Sequence, residues 1–168
     1  KGRAMSINKF SADEVYEMAE QIERNGAAYY RKAAQAFENP NKDMLLQLAV
    51  MEDEHEKTFQ ELRSKLTGPE GKLATFDPND DAVLYLQAMA DGYVFDVKTQ
   101  PADTLSGEEK LEDILKMALG MERDSIAFYV GLKAVTPDGS GKDKVEWIIQ
   151  EEIRHVNLLA GKLSELGN

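Results

Sequence analysis

The 168-residue chain has no cysteine, which excludes disulfides, thiolate metal sites, iron–sulfur clusters and a cysteine nucleophile. Any redox chemistry must use other ligands. Histidine is almost as scarce, with two residues in the chain. Basic charge is in deficit: 20 Lys and Arg stand against 31 Asp and Glu, a formal net charge of -11. Such a surface repels nucleic-acid phosphates and anionic lipid headgroups alike. No apolar run approaches the roughly 18 residues of a membrane span, and no signal-peptide pattern opens the chain. A cytoplasmic protein without nucleic-acid or membrane partners is therefore expected. Strand patterns are nearly missing too, the one β-flavoured stretch being Tyr93 to Val97. What remains, 42% apolar and 30% charged residues, suffices to bury a core and solvate a surface.

The order of elements follows from helical periodicity. Lys1 to Ala4, ahead of Met5, reads as a cloning remnant, and residues 1–10 as an N-terminal segment before one domain over 11–168. Ser11-Ala-Asp-Glu14 has the form of a capping box, and an apolar pattern at helical spacing runs from Val15 to Phe37 until Asn39-Pro40-Asn41 breaks it. The pattern resumes from Lys42 to Leu66 and stops at Thr67-Gly68-Pro69. The connection from Thr67 to Leu105 is too long for a bare loop, and Asp80 to Tyr93 within it looks like a short helix. Ser106 to Glu109 repeats the capping-box signature before a helical run from Leu111 to Val135, and a last run spans Lys142 to Leu166.

The two halves echo each other. Ile22-Glu23-Arg24 with Ala28-Tyr29-Tyr30 matches Met121-Glu122-Arg123 with Ala127-Phe128-Tyr129 at an offset of 99, and Leu48, Glu52, His55 and Phe59 match Ile148, Glu152, His155 and Leu159 at an offset of 100. Two helical hairpins joined by one long connection predict an all-α four-helix bundle with a crossover carrying a short extra helix.

Residues seven apart share a side of a helix, so the lines that face the core can be read off. Each is interrupted by a carboxylate: Tyr16, Glu23, Tyr30, Phe37; Leu45, Glu52, Phe59, Leu66; Leu115, Glu122, Tyr129; Val145, Glu152, Leu159, Leu166. Beside the second and fourth lines stand His55 and His155, each three residues after a Glu. With 18 Glu in the chain, chance would place one at that spacing before both histidines only about once in a hundred. All six side chains are expected to point inward, at one level of the bundle. Burying an uncompensated carboxylate costs several kcal/mol, and Arg24 and Arg123, which follow Glu23 and Glu122 directly, are turned about 100° away. Two divalent cations would neutralise four carboxylates, with the imidazoles as nitrogen ligands. A dinuclear metal site fits.

One Glu from each of two helices and E-x-x-H from each of the other two is the ligand pattern of the ferritin-like di-iron and di-manganese carboxylate proteins. The order Glu23, Glu52-x-x-His55, long crossover, Glu122, Glu152-x-x-His155, with Arg-x-x-x-Ala-aromatic-Tyr after each single Glu, resembles the rubrerythrin branch. The resemblance runs from about Ser11 to Leu166. It implies a ferritin-like fold and two iron ions, with manganese as the alternative. Glu52 and Glu152 would bridge or chelate, Glu23 and His55 would serve one ion, and Glu122 and His155 the other. The implied activity is reduction of hydrogen peroxide or dioxygen. Because the thiolate iron module typical of the family is impossible without cysteine, electrons would come from an external electron-transfer protein. Tyr30 and Tyr129 are candidate hydrogen-bond donors behind the ligands, or else aromatic core filling.

The chain departs from the family at Ser125, where rubrerythrins usually carry a further carboxylate used in their peroxidase cycle. The remaining six ligands are closer to bacterioferritin, so a ferroxidase or iron-storage role is the alternative reading. Others are a di-manganese catalase and a metal-free helical interaction module. The long crossover would allow two chains to exchange a hairpin, so a homodimer, domain-swapped or not, is expected.

Overall fold

The computed structural model describes residues 11–66, 81–90 and 100–167. The N-terminal segment 1–10 and the β-flavoured stretch Tyr93 to Val97 lie outside the described residues, as does most of the crossover. The described residues form five α-helices and one short 3-10 turn, with no strand among them: α1 Ala12–Ala34, α2 Asn41–Ser64, α3 Asp81–Ala90, the turn Pro101–Thr104, α4 Leu111–Val135 and α5 Ser140–Leu166. None of the described helices is long and apolar enough to cross a membrane.

Local chemistry explains the boundaries. Ser11 and Glu14 form the capping box: the Ser11 hydroxyl accepts from the Glu14 N–H at 3.2 Å, and the Glu14 carboxylate accepts from the Ser11 N–H at 2.7 Å. Asp13 and Glu14 in the first turn of α1, with Arg31 and Lys32 in the last, complement the helix dipole. The helix stops at Ala34, three residues before the apolar pattern does. Gln35, Ala36 and Phe37 continue in tighter bonds to Lys32, Ala33 and Ala34, a turn that still carries Phe37 against the core.

The expected capping box at Ser106 to Glu109 does not start a helix. The Glu109 carboxylate accepts from the Ser106 N–H at 2.5 Å, the Ser106 hydroxyl at 2.8 Å and the Gly107 N–H at 2.9 Å, closing a turn in which Gly107 has φ 92°. Lys110, extended and without a side-chain cap, precedes α4. Local bonds captured the serine before it could serve as the helix cap.

α1 with α2 and α4 with α5 form the two hairpins, and α1 then packs on α4 and α2 on α5. One apolar cluster gathers Tyr16, Phe59, Phe128, Leu132, Val145 and Ile148, and a second gathers Tyr29, Leu45, Leu48, Leu115, Ala118 and Leu159. Both combine the start of one helix with the end of its neighbour, so α2 and α5 run antiparallel. Between the two clusters lies a polar layer, and the bundle is held from both ends of it by apolar burial. Met18, Met89 and Met121 fill the margins of these clusters, whereas Met117 is exposed.

α3 docks on α4 through Val83 and Leu86, both buried, and through Tyr85, whose hydroxyl donates to the Ala127 carbonyl at 2.6 Å. Gly131 makes this approach feasible, since a Cβ there would stand 2.6 Å from the Tyr85 ring. Gly131→Ala is expected to push α3 off its seat and to cost about 1–3 kcal/mol, as overpacking does. A thermal melt showing an unchanged midpoint would contradict this seating.

Candidate metal centre

The six side chains singled out by the heptad lines all arrive in the polar layer. Glu23 comes from α1, Glu52 and His55 from α2, Glu122 from α4, and Glu152 and His155 from α5, and none is more than 4% exposed. The E-x-x-H spacing places Glu and His one turn apart on one face of α2 and of α5. The single Glu of α1 and of α4 reaches the same level from the facing hairpin arm.

They form two groups that share two members. Glu23, Glu52, His55 and Glu152 each offer a donor atom within 4.8 Å of the others, and so do Glu52, Glu122, Glu152 and His155. Glu52 and Glu152 belong to both. His55 Nδ1 stands 2.8 Å from Glu152 Oε1 and 3.4 Å from Glu23 Oε2, while His155 Nδ1 stands 3.1 Å from Glu52 Oε1, 3.2 Å from Glu152 Oε2 and 3.4 Å from Glu122 Oε1. The two imidazoles stack with centroids 5.7 Å apart and planes 23° apart.

These contacts are short, but the donors are not aimed at the acceptors. Glu23 Oε2, Glu52 Oε1, both Glu152 oxygens, His55 Nδ1 and both His155 nitrogens are buried without a hydrogen-bond partner. Native interiors rarely leave so many polar atoms unsatisfied in one place. Lone pairs converging on common points, rather than on each other's hydrogens, are what coordination requires. Among the described residues, no guanidinium or ammonium enters the layer. Arg24 is half exposed and pairs with Glu56 at 2.7 Å, Arg31 pairs with Asp53, and Arg63 pairs with Asp13 at 2.6 Å. Arg123 is exposed. The donor set, oxygen-rich with two nitrogens, anionic and dry, therefore fits divalent first-row cations.

The tyrosines bond across the bundle. Tyr30 of α1 donates to Glu122 Oε1 of α4, and Tyr129 of α4 donates to Glu23 Oε1 of α1. Each hairpin thus orients the single carboxylate of the other. Both tyrosines also belong to the apolar clusters, so core filling and carboxylate bonding coincide.

Three further features were not read from sequence. Gly26 lets α1 approach Glu52 closely, since a Cβ there would stand 3.1 Å from Glu52 Oε2. Glu20 is buried at 7% exposure but lies at the α1–α2 edge, where Arg63 reaches it at 3.4 Å. Trp147, the one tryptophan, sets its ring edge-on to His55. Its only sequence signal is its place two turns before His155.

Burial pushes the Glu52 and Glu152 carboxyls well above the usual carboxylate range, and the neighbouring carboxylates add to this. Burial raises Glu122 as well, but its close approach to Glu152 and His155 and the bond from Tyr30 outweigh that and hold the carboxyl low. Burial opposes charge on His55 and His155, yet the surrounding carboxylates raise both above the ordinary 6.5.

The linkage has a definite sign in the metal-free protein. A carboxyl raised above 4.5 holds its proton more tightly folded, so Glu52 and Glu152 remove stability as pH climbs past that value. The imidazoles contribute stability that is full below 6.5 and is lost as pH rises through their folded values. Glu122 acts oppositely, its contribution being lost as pH falls below 4.5. Chelator-treated protein should therefore melt lower at about pH 8 than at about pH 6. Added metal should reverse the trend, because ligands bind as deprotonated groups. Calorimetry across that range checks both slopes, and a metal-free melting point that rises with pH would refute the assignment.

Comparison with known proteins bears on the fold and the family. A solved ferritin-like diiron-carboxylate protein from Thermotoga maritima superposes with a TM-score of 0.73 at 23% identity, covering 94% of this chain and 97% of that one, a likeness of fold. No curated protein matches. The rubrerythrin family model matches residues 14–163, a span that holds all six donors and both tyrosines, and the chain belongs to the rubrerythrin family.

Proposed function

We propose that this protein is a di-iron redox protein that reduces hydrogen peroxide or dioxygen with electrons from an external electron-transfer protein. The observation that carries the reading is the pair of donor groups sharing Glu52 and Glu152, with orphaned buried oxygens and nitrogens and, among the described residues, no lysine or arginine beside them. Glu23 and His55 would hold one ion, Glu122 and His155 the other, and Glu52 and Glu152 both. When bound, a ferrous pair would supply the two electrons that cleavage of an O–O bond consumes.

The chain's own groups do the rest. Glu52 and Glu152, common to both donor groups, would be the carboxylates able to serve either ion, while the imidazoles, each on a rigid helix, would keep their positions. Tyr30 holds Glu122 Oε1 and Tyr129 holds Glu23 Oε1, which leaves Glu23 Oε2 without a hydrogen-bond partner and open to the centre. Burial of all six groups excludes bulk water and strengthens every electrostatic interaction inside.

Ser125 favours a second reading. It is buried at 8% exposure and its hydroxyl donates to the Met121 carbonyl at 3.0 Å, so the position at which rubrerythrins usually add a carboxylate offers no oxygen anion. The remaining six-ligand set suits ferroxidase action feeding iron storage.

Anaerobic Fe(II) titration followed by stoichiometric peroxide, and separately by dioxygen, distinguishes them. Two irons oxidised faster by peroxide than by dioxygen is the expected result, and the reverse order favours the ferroxidase. Oxygen evolution from peroxide by manganese-loaded protein would replace both with disproportionation. Absence of metal uptake would leave a metal-free helical module.

A further inference from the structure

Trp147 has no task in the reading above. It lies on α5 with 46% of its surface exposed, while His55 beneath it is 1% exposed. The two rings meet edge to face, with centroids 5.7 Å apart and planes at 89°. His55 in turn stacks on His155 at a centroid separation of 5.7 Å. Three rings therefore run in contact from the surface, through one donor group, to the other.

The internal repeat shows that the fold does not need an indole here for packing. The position 100 residues earlier, in the equivalent turn of α2, is Gln47, which is exposed. The same offset relates His55 to His155. A polar side chain thus suffices on the equivalent turn, and the tryptophan distinguishes α5. A single exposed apolar side chain is ordinary on a protein surface; what sets Trp147 apart is that its ring touches a buried donor of the centre.

Charge defines what would meet it. Asp143 lies exposed one turn before Trp147 on α5, Glu54 precedes His55 on α2, Lys144 is engaged by Glu61 at 3.0 Å, and Arg154 is engaged by Glu151, one turn after Trp147. The surroundings are acidic, in a chain of net charge -11. A basic face complements them.

We infer that Trp147 is where electrons from a one-electron carrier protein with a basic docking face reach the centre, passing from the indole to His55. This rests on the redox reading proposed above. Each passage oxidises one carrier by one electron and reduces one Fe(III) to Fe(II), and two passages restore the ferrous pair. No bond forms or breaks in the indole or the imidazole, which end each passage unchanged. Electron transfer falls steeply with distance between edges, so rings in contact conduct better than a route across solvated side chains.

The native protein supplies a readout independent of turnover, because all tryptophan emission comes from this residue. Acrylamide should quench it in the metal-free protein. Anaerobic Fe(II) should quench it further, saturating as the centre fills, whereas closed-shell Zn(II) should leave most of it. The second readout is anaerobic re-reduction of the iron-loaded, oxidised protein by reduced methyl viologen, a cationic one-electron reductant. Trp147→Leu, which keeps an apolar side chain but no ring, should slow it about tenfold at unchanged iron content and helicity. Trp147→Phe, which keeps a ring, should slow it less, and added salt should slow the unaltered protein. Emission that acrylamide cannot reach would overturn the inference, as would re-reduction of Trp147→Leu at the unaltered rate with iron bound. Failure to bind iron at all would overturn the reading of the centre itself, and this inference with it.

Discussion

Two equivalents of Fe(II), added without oxygen, should raise the melting temperature of the metal-free protein by about 10–20 °C. The magnitude follows from what the polar layer lacks. Four carboxylates are buried together, and among the described residues no lysine or arginine reaches the layer, which has only the two imidazoles to offset them. An ion present at a hundredfold above its dissociation constant adds about 2.7 kcal/mol of stability, so two add about 5. For a chain of this length each kcal/mol moves the midpoint by about 2–4 °C. Calorimetry with and without a chelator measures the shift. A midpoint indifferent to metal would mean that the layer is stitched by hydrogen bonds alone, and the proposed centre would fall.

Glu152→Gln should change stability in opposite directions in the two states. Glu152 is fully buried, belongs to both donor groups, and leaves both oxygens without a hydrogen-bond partner. In the metal-free protein the amide keeps the shape and replaces an acid whose ionisation burial, Glu122 and Glu23 make costly. The variant is therefore expected to be more stable than the parent by about 1–3 kcal/mol, as when buried charges elsewhere are replaced by neutral groups of similar volume. With iron the order inverts. An amide is a poor substitute for a shared anionic ligand, so metal-induced stabilisation should vanish and iron affinity should fall by at least about a hundredfold. Melting curves of both proteins, with and without iron, settle the sign. A residue with a purely structural role would lose stability in both states.

The helices were legible because their signals are local. The Ser11 capping box and the Asn39-Pro40 break act within a few residues, and the carboxylates stood out because each interrupts an apolar line that only a core needs. Two histidines, each one turn after a glutamate, narrowed the centre further. What escaped depends on neighbours distant in sequence. The heptad line put Tyr30 on the face of Glu23, yet its hydroxyl bonds Glu122, 92 residues on. Which helix faces which is set by how the hairpins dock, and spacing within one helix does not encode it. Trp147 on His55 and Gly26 beside Glu52 are contacts of the same kind. At Ser106 the signature was present but its carboxylate turned back on the serine and on Gly107, a competition between two local geometries with the same composition.

The reciprocal tyrosine bonds have a bearing on ancestry. A half-length chain carrying one glutamate, one E-x-x-H and one tyrosine holds half of every requirement, and association with a twin through a dyad supplies the remainder. The present molecule has the internal logic of such a twin pair fused end to end. The two halves are not identical around the centre: indole stands against amide at 147 and 47, and hydroxymethyl against hydrogen at 125 and 26.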